Sequence, residues 1–178
     1  LAFNTIAGAG LNSTVLHYRA NDQPVRDGDL ICIDSGAKWQ GYSADITRTV
    51  PANGKFTKRQ REVYEIVLEA QLAAIAAVRP NATIASIDAA ARKVIINAGL
   101  GDAFIHGTGH HLGLETHDSN PDQPLKPGCV ITIEPGIYLP DEKIGIRIED
   151  DVLVTKSGRE VLSAAIPKKS KDIESAMR

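Results

Sequence analysis

Apolar residues along this chain fall into two kinds of pattern. Two short runs alternate as strands do: Leu30 to Asp34 puts Leu30, Cys32 and Asp34 on one face, and Val130 to Glu134 does the same with Val130, Thr132 and Glu134. Two longer stretches repeat at helical spacing. Thr57 with Gln60 makes a capping box, and Val63, Ile66, Val67, Ala70, Ala73, Ala74 and Ala77 form an apolar stripe that ends before Pro80. A second helix is predicted from about Ser86 to Ala98, with Ile87, Ala91, Val94, Ile95 and Ala98 facing inward and Gly99 as the stop signal. Leu1 to Tyr18 has only a weak apolar pattern broken by Gly and Asn, and Asn21 to Gly28 reads as a turn-rich link. These elements predict an α/β (α+β) protein whose Ala-rich helices pack closely on a sheet.

The two strand-like runs echo one another at an offset of one hundred. Residues 27–36 read DGDLICIDSG and residues 127–136 read PGCVITIEPG. Each places Gly ahead of an apolar run that ends in a carboxylate, Asp34 or Glu134, with Gly two residues further on. The echo continues past each turn, where Gly41 precedes Asp45 by four residues and Gly145 precedes Glu149 by four. A single copy is a common hairpin ingredient. Two copies with matched acids imply a duplicated hairpin that delivers two carboxylates from each half.

Acids that end apolar strands lie near the core, where an ionised carboxylate is costly unless it is paired, hydrogen-bonded or bound to metal. Only Arg48 and Arg147 lie in these segments, and strand parity places Arg147 on the face of Glu149. One arginine does not balance four carboxylates, so a multivalent cation is the economical expectation.

The length of 178 residues suits one domain with a buried core, and 43% hydrophobic residues with a net charge of −2 describe an ordinary soluble chain. There is no basic footprint for nucleic acid. No apolar stretch reaches the ~20 residues of a membrane span. Cys32 and Cys129 both lie in strand-like segments and are expected as reduced thiols.

Residues 106–118, HGTGHHLGLETHD, hold four of the five histidines. Neutral imidazole is the commonest metal ligand and a general acid or base near pH 7, so this density points to chemistry rather than packing. His106 and His110 have the i, i+4 spacing of a helical zinc motif. However, Gly107 and Gly109 disfavour a helix and the Glu after the first His is missing. A Gly-permitted loop or strand is expected.

The segments DLICIDSGAKWQGYSADITRTVPANGKFTKRQREVYEIVLEA, HGTGHHLGLETHD, GCVITIEPGIY and GIRIEDDVLV together resemble the catalytic domain of the pita-bread metallopeptidases, in the Xaa-Pro aminopeptidase branch. The resemblance covers nearly the whole chain. It implies an internally duplicated fold with a pseudo-two-fold, a mostly antiparallel sheet covered by helices, and two divalent ions, commonly Mn(2+). Asp34 would bind one ion, His110 and Glu134 the other, and Asp45 and Glu149 would bridge the pair. Among Glu149, Asp150 and Asp151, the Gly-plus-four echo selects Glu149. His117 and His17 match histidines that bind the substrate carbonyl, His106 and Tyr138 residues that line a proline pocket, and Arg147 a partner behind the bridging acids. His111 stands where several relatives carry an aromatic residue, and is expected to be exposed or gap-filling rather than catalytic.

The implied activity is hydrolysis of the bond between an N-terminal residue and a following proline by a hydroxide shared between the ions, with Glu134 relaying the proton. Peptides with proline in second position are the implied partners, with homo-oligomers among full-length relatives and a cytoplasmic location. A prolidase restricted to Xaa-Pro dipeptides shares all five ligands, whereas methionine aminopeptidase fits less well around His110 and His117. A creatinase-like hydrolase or an inactive binding module on the same fold would be expected to have lost ligands. The pattern is entered part-way at Leu1, so 1–178 is expected to be one catalytic domain, truncated at its N-terminus and weakened in activity.

Overall fold

A computed structural model describes residues 1–119 and 123–177. The first half is a three-stranded antiparallel sheet in the order β1 (Ile6–Ala9), β2 (Leu30–Ser35), β5 (Ile46–Pro51), with the small hairpin β3 (Lys38–Trp39) and β4 (Tyr42–Ser43) between β2 and β5. Two helices follow, α1 (Lys58–Ala77) and α2 (Ile84–Asn97). The second half repeats the plan. A four-stranded antiparallel sheet has the order β11 (Arg159–Val161), β10 (Asp150–Val154), β7 (Val130–Ile133), β6 (His111–Leu112). The hairpin β8 (Gly136–Leu139) and β9 (Ile144–Arg147) lies between β7 and β10, and α3 (Ser170–Ala176) closes the chain. Thus β2, β3, β4 and β5 correspond to β7, β8, β9 and β10. Asp45 stands one residue before β5, as Glu149 stands one residue before β10.

Thr57 accepts from the Gln60 amide and the Gln60 side chain accepts from the Thr57 amide, so α1 starts where its capping box predicts. α2 begins two residues before the expected Ser86, because Thr83 and Ser86 form a second capping box with serine in place of the usual Glu or Gln. Ile87, Ala91 and Ile95 are buried, but Ala98 is exposed as the C-cap rather than inward-facing. Between the helices and the sheets lie Leu30, Tyr64, Ile131, Ile133, Ile137, Ile146, Ile148, Val152 and Val154. Each such fully buried side chain contributes about 1.5–3 kcal/mol relative to exposure.

The alternation expected for the first run is observed, with Leu30, Cys32 and Asp34 buried. The second run departs from it. Ile131, Thr132 and Ile133 are all buried, because β7 is central in its sheet and is covered on both faces, while Val130 and Glu134 are only partly so. Cys129 sits just ahead of β7, half-buried, and both thiols are free. Leu1 to Tyr18, weak in pattern, contains β1, whose Ile6 pairs with Asp34.

The halves are joined where β5 runs beside residues 147–149. The Glu149 amide donates to Thr47 O (3.0 Å), and Thr49 Oγ1 both donates to Arg147 O (3.0 Å) and accepts from the Arg147 amide (3.1 Å). Every backbone polar group tied across this seam brings the two acid-bearing ends closer together.

Candidate metal centre

The seam aims four carboxylates and one imidazole into a cavity of about 240 Å³, lined by Asp34, Asp45, Glu134, Glu149, His110, Arg147, His17, His106 and His117 among others. Thr47 fixes Glu149 by donating to its Oε2 at 2.6 Å. Three ligand atoms, one each from Asp45, His110 and Glu149, lie within 4.8 Å of one another. His110 Nε2 is 3.7 Å from Asp45 and 3.4 Å from Glu134. Asp34 lies beside Asp45 and is held by Arg147, whose guanidinium donates to Asp34 Oδ2 at 2.8 Å, to Thr47 Oγ1 at 3.1 Å and to the Tyr138 hydroxyl at 3.0 Å. Strand parity placed Arg147 on the face of Glu149, and both line this cavity; the direct ion pair of Arg147 is with Asp34.

The loop carrying His106 and His110 is neither helix nor surface tract. It passes flat against β7, where the His110 amide donates to Thr132 Oγ1 at 3.0 Å and the Glu134 amide donates to Thr108 O at 2.7 Å. Gly109 permits this approach, since a Cβ there would stand 1.9 Å from Thr132 O.

Hydrogen-bond partners fix the ring tautomers. His110 Nδ1 faces His111 O at 3.0 Å, and a carbonyl only accepts, so Nδ1 carries the proton and the Nε2 lone pair faces the acids. His106 Nδ1 likewise donates to Gly107 O at 2.8 Å, so the Tyr138 hydroxyl donates to His106 Nε2 at 2.8 Å. Burial lowers the pKa of His110 and takes that of His106 down to about 4, leaving both imidazoles neutral near pH 7.

The acids behave oppositely. Burial, then repulsion from Asp34 and Glu134, raises the Asp45 pKa to about 9; burial raises Glu134 to about 7 and lifts Glu149 well above the carboxylate range. Asp34 Oδ1 and Asp45 Oδ1 are buried with no hydrogen-bond partner. Four carboxylates against one guanidinium, two orphaned oxygens and a neutral imidazole with its lone pair turned inward fit divalent cations, which supply the missing charge and accept those lone pairs.

A second cavity of about 470 Å³ adjoins the first and shares His17, Asp34, Asp45 and His117 with it, adding Phe3, Asn4, Ile6, Arg19 and Thr116. His17 and His117 are exposed on this side, and the His117 ring lies against His110, centroids 4.1 Å apart. His111 is half-buried in β6 and lines neither cavity, and its Nε2 is buried without a hydrogen-bond partner among the described residues. Of the outer-cavity residues from the first nineteen positions, His17 was named through the family resemblance, while Phe3, Asn4, Ile6 and Arg19 carried no signal in the pattern. Nothing in the sequence singled out Thr47, whose role comes from the closure of the two halves.

Fold and site together define a divalent-metal protein built on a duplicated α/β domain. The chain belongs to metallopeptidase family M24, which matches residues 1–156. It is 40% identical over 207 aligned residues to the Xaa-Pro aminopeptidase of Escherichia coli and 47% identical over 167 to the Xaa-Pro dipeptidase of Pyrococcus furiosus, covering 99% and 91% of this chain. Escherichia coli aminopeptidase P, solved with the inhibitor Pro-Leu, superposes with a TM-score of 0.93 at 39% identity over 99% of the chain. The chain spans 47% of each of these relatives. Its fold is the pita-bread fold, as the sequence resemblance implied. No helix among the described residues is long and apolar enough to cross a membrane.

Proposed function

We propose that this chain carries the catalytic centre of a Xaa-Pro aminopeptidase, which hydrolyses the bond between an N-terminal residue and a following proline. The observation that supports it is the convergence of Asp34, Asp45, His110, Glu134 and Glu149 beside a wall made by His106, with Tyr138 buried behind it rather than lining the cavity. Asp34 would hold one divalent cation, His110 and Glu134 a second, and Asp45 and Glu149 would be shared, with manganese the leading candidate. When bound, the cation pair supplies a water acidified to near neutrality and a Lewis acid for the substrate carbonyl.

The residues of the chain do the rest. Glu134, at the inner cavity beside His110, takes the proton and returns it to the leaving amine. His117 and His17 stand at the mouth of the cluster and donate toward the carbonyl oxygen as negative charge develops there. Asp34, beside the outer cavity, receives the free N-terminal amine. Proline offers no N–H, so selection rests on shape and on uncharged surface. A neutral His106 held by Tyr138 meets that need.

A dipeptide-restricted reading is favoured by the 47% identity to the archaeal dipeptidase. Cation content per chain, measured together with turnover of Xaa-Pro-Yaa and Xaa-Pro substrates, separates the two. Tripeptide cleavage supports the aminopeptidase, dipeptide-only cleavage supports the dipeptidase, and a chain that retains no divalent cation refutes both. A cytoplasmic location and homo-oligomeric assembly belong to the same proposal.

A further inference from the structure

The loop that bears His106 is gripped from behind by α2. Asp88 Oδ1 accepts from both the amide (3.0 Å) and the hydroxyl (2.8 Å) of Thr108, and Asp88 Oδ2 is paired with Arg92 Nε at 2.6 Å, one helical turn on. Arg92 then donates to Phe104 O (3.1 Å) and to His106 O, and its guanidinium stacks on the Phe104 ring with its carbon 4.3 Å from the centroid. Phe104 meets the His106 ring edge-on, with centroids 5.2 Å apart. Thr108 is 1% exposed, so its amide and hydroxyl have no water to replace Asp88. On the cavity side, Thr108 O receives the Glu134 amide, and the His106 ring meets Tyr138. An i, i+4 Asp–Arg pair of the kind that usually decorates a solvated helix is turned here into a fork on the backbone of residues 104–108.

We propose that Asp88 is a positioning residue for substrate selection: acting through Thr108 and Arg92, it fixes the His106 wall and so sets the preference for proline in second position. The inference rests on the Xaa-Pro reading above. Asp88 contacts neither the ligand acids nor the inner cavity, so cation binding is not its task. A wall displaced by about 1 Å costs rate on the order of 10²-fold where positioning matters. An alanine in second position fills less of the pocket and depends less on the wall.

The test uses the cation-loaded protein with Asp88→Ala, with Asp88→Asn as the variant that keeps a carbonyl for Thr108 but loses the pair with Arg92. Two ratios are read: kcat/KM for Xaa-Pro-Yaa against Xaa-Ala-Yaa, and calorimetric affinity for the product dipeptide Pro-Yaa against Ala-Yaa. The expected result is a fall of about 10-fold or more in both ratios for Asp88→Ala. A smaller fall is expected for Asp88→Asn, with cation content unchanged in each. Equal losses for the proline and alanine ligands, or unchanged ratios in a folded variant, overturn the proposal. If Asp88→Ala fails to fold, Asp88→Asn decides by the same two ratios. A wild-type protein that loads cation but cleaves neither peptide refutes the Xaa-Pro reading itself, and this inference with it; one that cleaves Xaa-Pro-Yaa while Asp88 variants keep its selectivity refutes this inference alone.

Discussion

Removing the cations should make the fold sensitive to alkali. In the metal-free protein the Asp45 pKa stands at about 9 and that of Glu149 well above its ordinary value, both chiefly through burial and then through neighbouring carboxylates. A carboxyl whose folded pKa is raised binds more protons folded than unfolded, so its stabilising contribution is complete below the unfolded pKa near 4 and is lost as pH rises through the folded value. His106 and His110 have lowered folded pKa values and act in the opposite sense, but only below about pH 6.5, where the unfolded imidazole protonates. The window from pH 7 to 8.5 therefore isolates the acids. Each proton that the folded cluster keeps and the unfolded chain has lost costs about 2 kcal/mol over 1.5 pH units. For a chain of this size that is a Tm lower by roughly 4–8 °C. The assay is calorimetry on chelator-treated protein at both pH values, with Asp45→Asn as control, which should flatten the slope. A Tm that is level or rises over the window, or an Asp45→Asn slope equal to that of the wild type, would refute the account of the cluster as acids crowded without their cation.

Two other predictions separate roles within the site and its support. His110→Ala should lower bound cation, because its inward Nε2 lone pair is lost, whereas His117→Ala should keep cation and lose ~10²-fold or more in turnover; cation analysis with single-substrate kinetics checks both. Asp150→Ala should destabilise by roughly 3–5 kcal/mol in denaturant unfolding, since it strands Arg48 without its carboxylate in a buried setting.

How much of this was legible in the sequence depends on how local the cause is. The start of α1 was readable to the residue because its capping box is local, and its end only as lying before Pro80. The start of α2 was misplaced by two residues because serine at N3 does not announce a box. β1 has four residues, two of them Ala and one Gly, and becomes a strand only by pairing with β2 across about twenty-five residues of chain, a non-local cause that no window contains. The ligand candidates stood out because the duplication repeats them and the histidines cluster. What holds them was hidden. Asp88 and Arg92 look like any surface pair on a helix, and Arg147 reaches Asp34 only because the two halves close on one another.

The run Glu149, Asp150 and Asp151 shows why a buried acid here is a ligand candidate only when the fold refuses it a partner. Asp150 is fully buried, and burial alone would raise its pKa, yet the combined pull of Lys168, Ser163, Arg48 and Gln71 holds it below the ordinary value. Those four partners come from the C-terminal segment, β5 and α1, so this carboxylate ties the layers together and is spent in doing so. One residue earlier, Glu149 points across the seam, takes a single hydroxyl from Thr47, and faces Asp45 and Glu134 instead of a lysine. The Arg48 guanidinium meets the Glu149 carbonyl and the Asp150 carboxylate, and the Glu149 carboxylate is left to the cleft. Asp151, one residue later, uses one oxygen on the Asp45 amide, leaves the other buried without a partner, and has its pKa raised by burial to about 7. Adjacent carboxylates thus differ in proton affinity by what faces them, and the opposite shifts of Asp150 and Glu149 separate the acid that holds the fold from the ligand candidate.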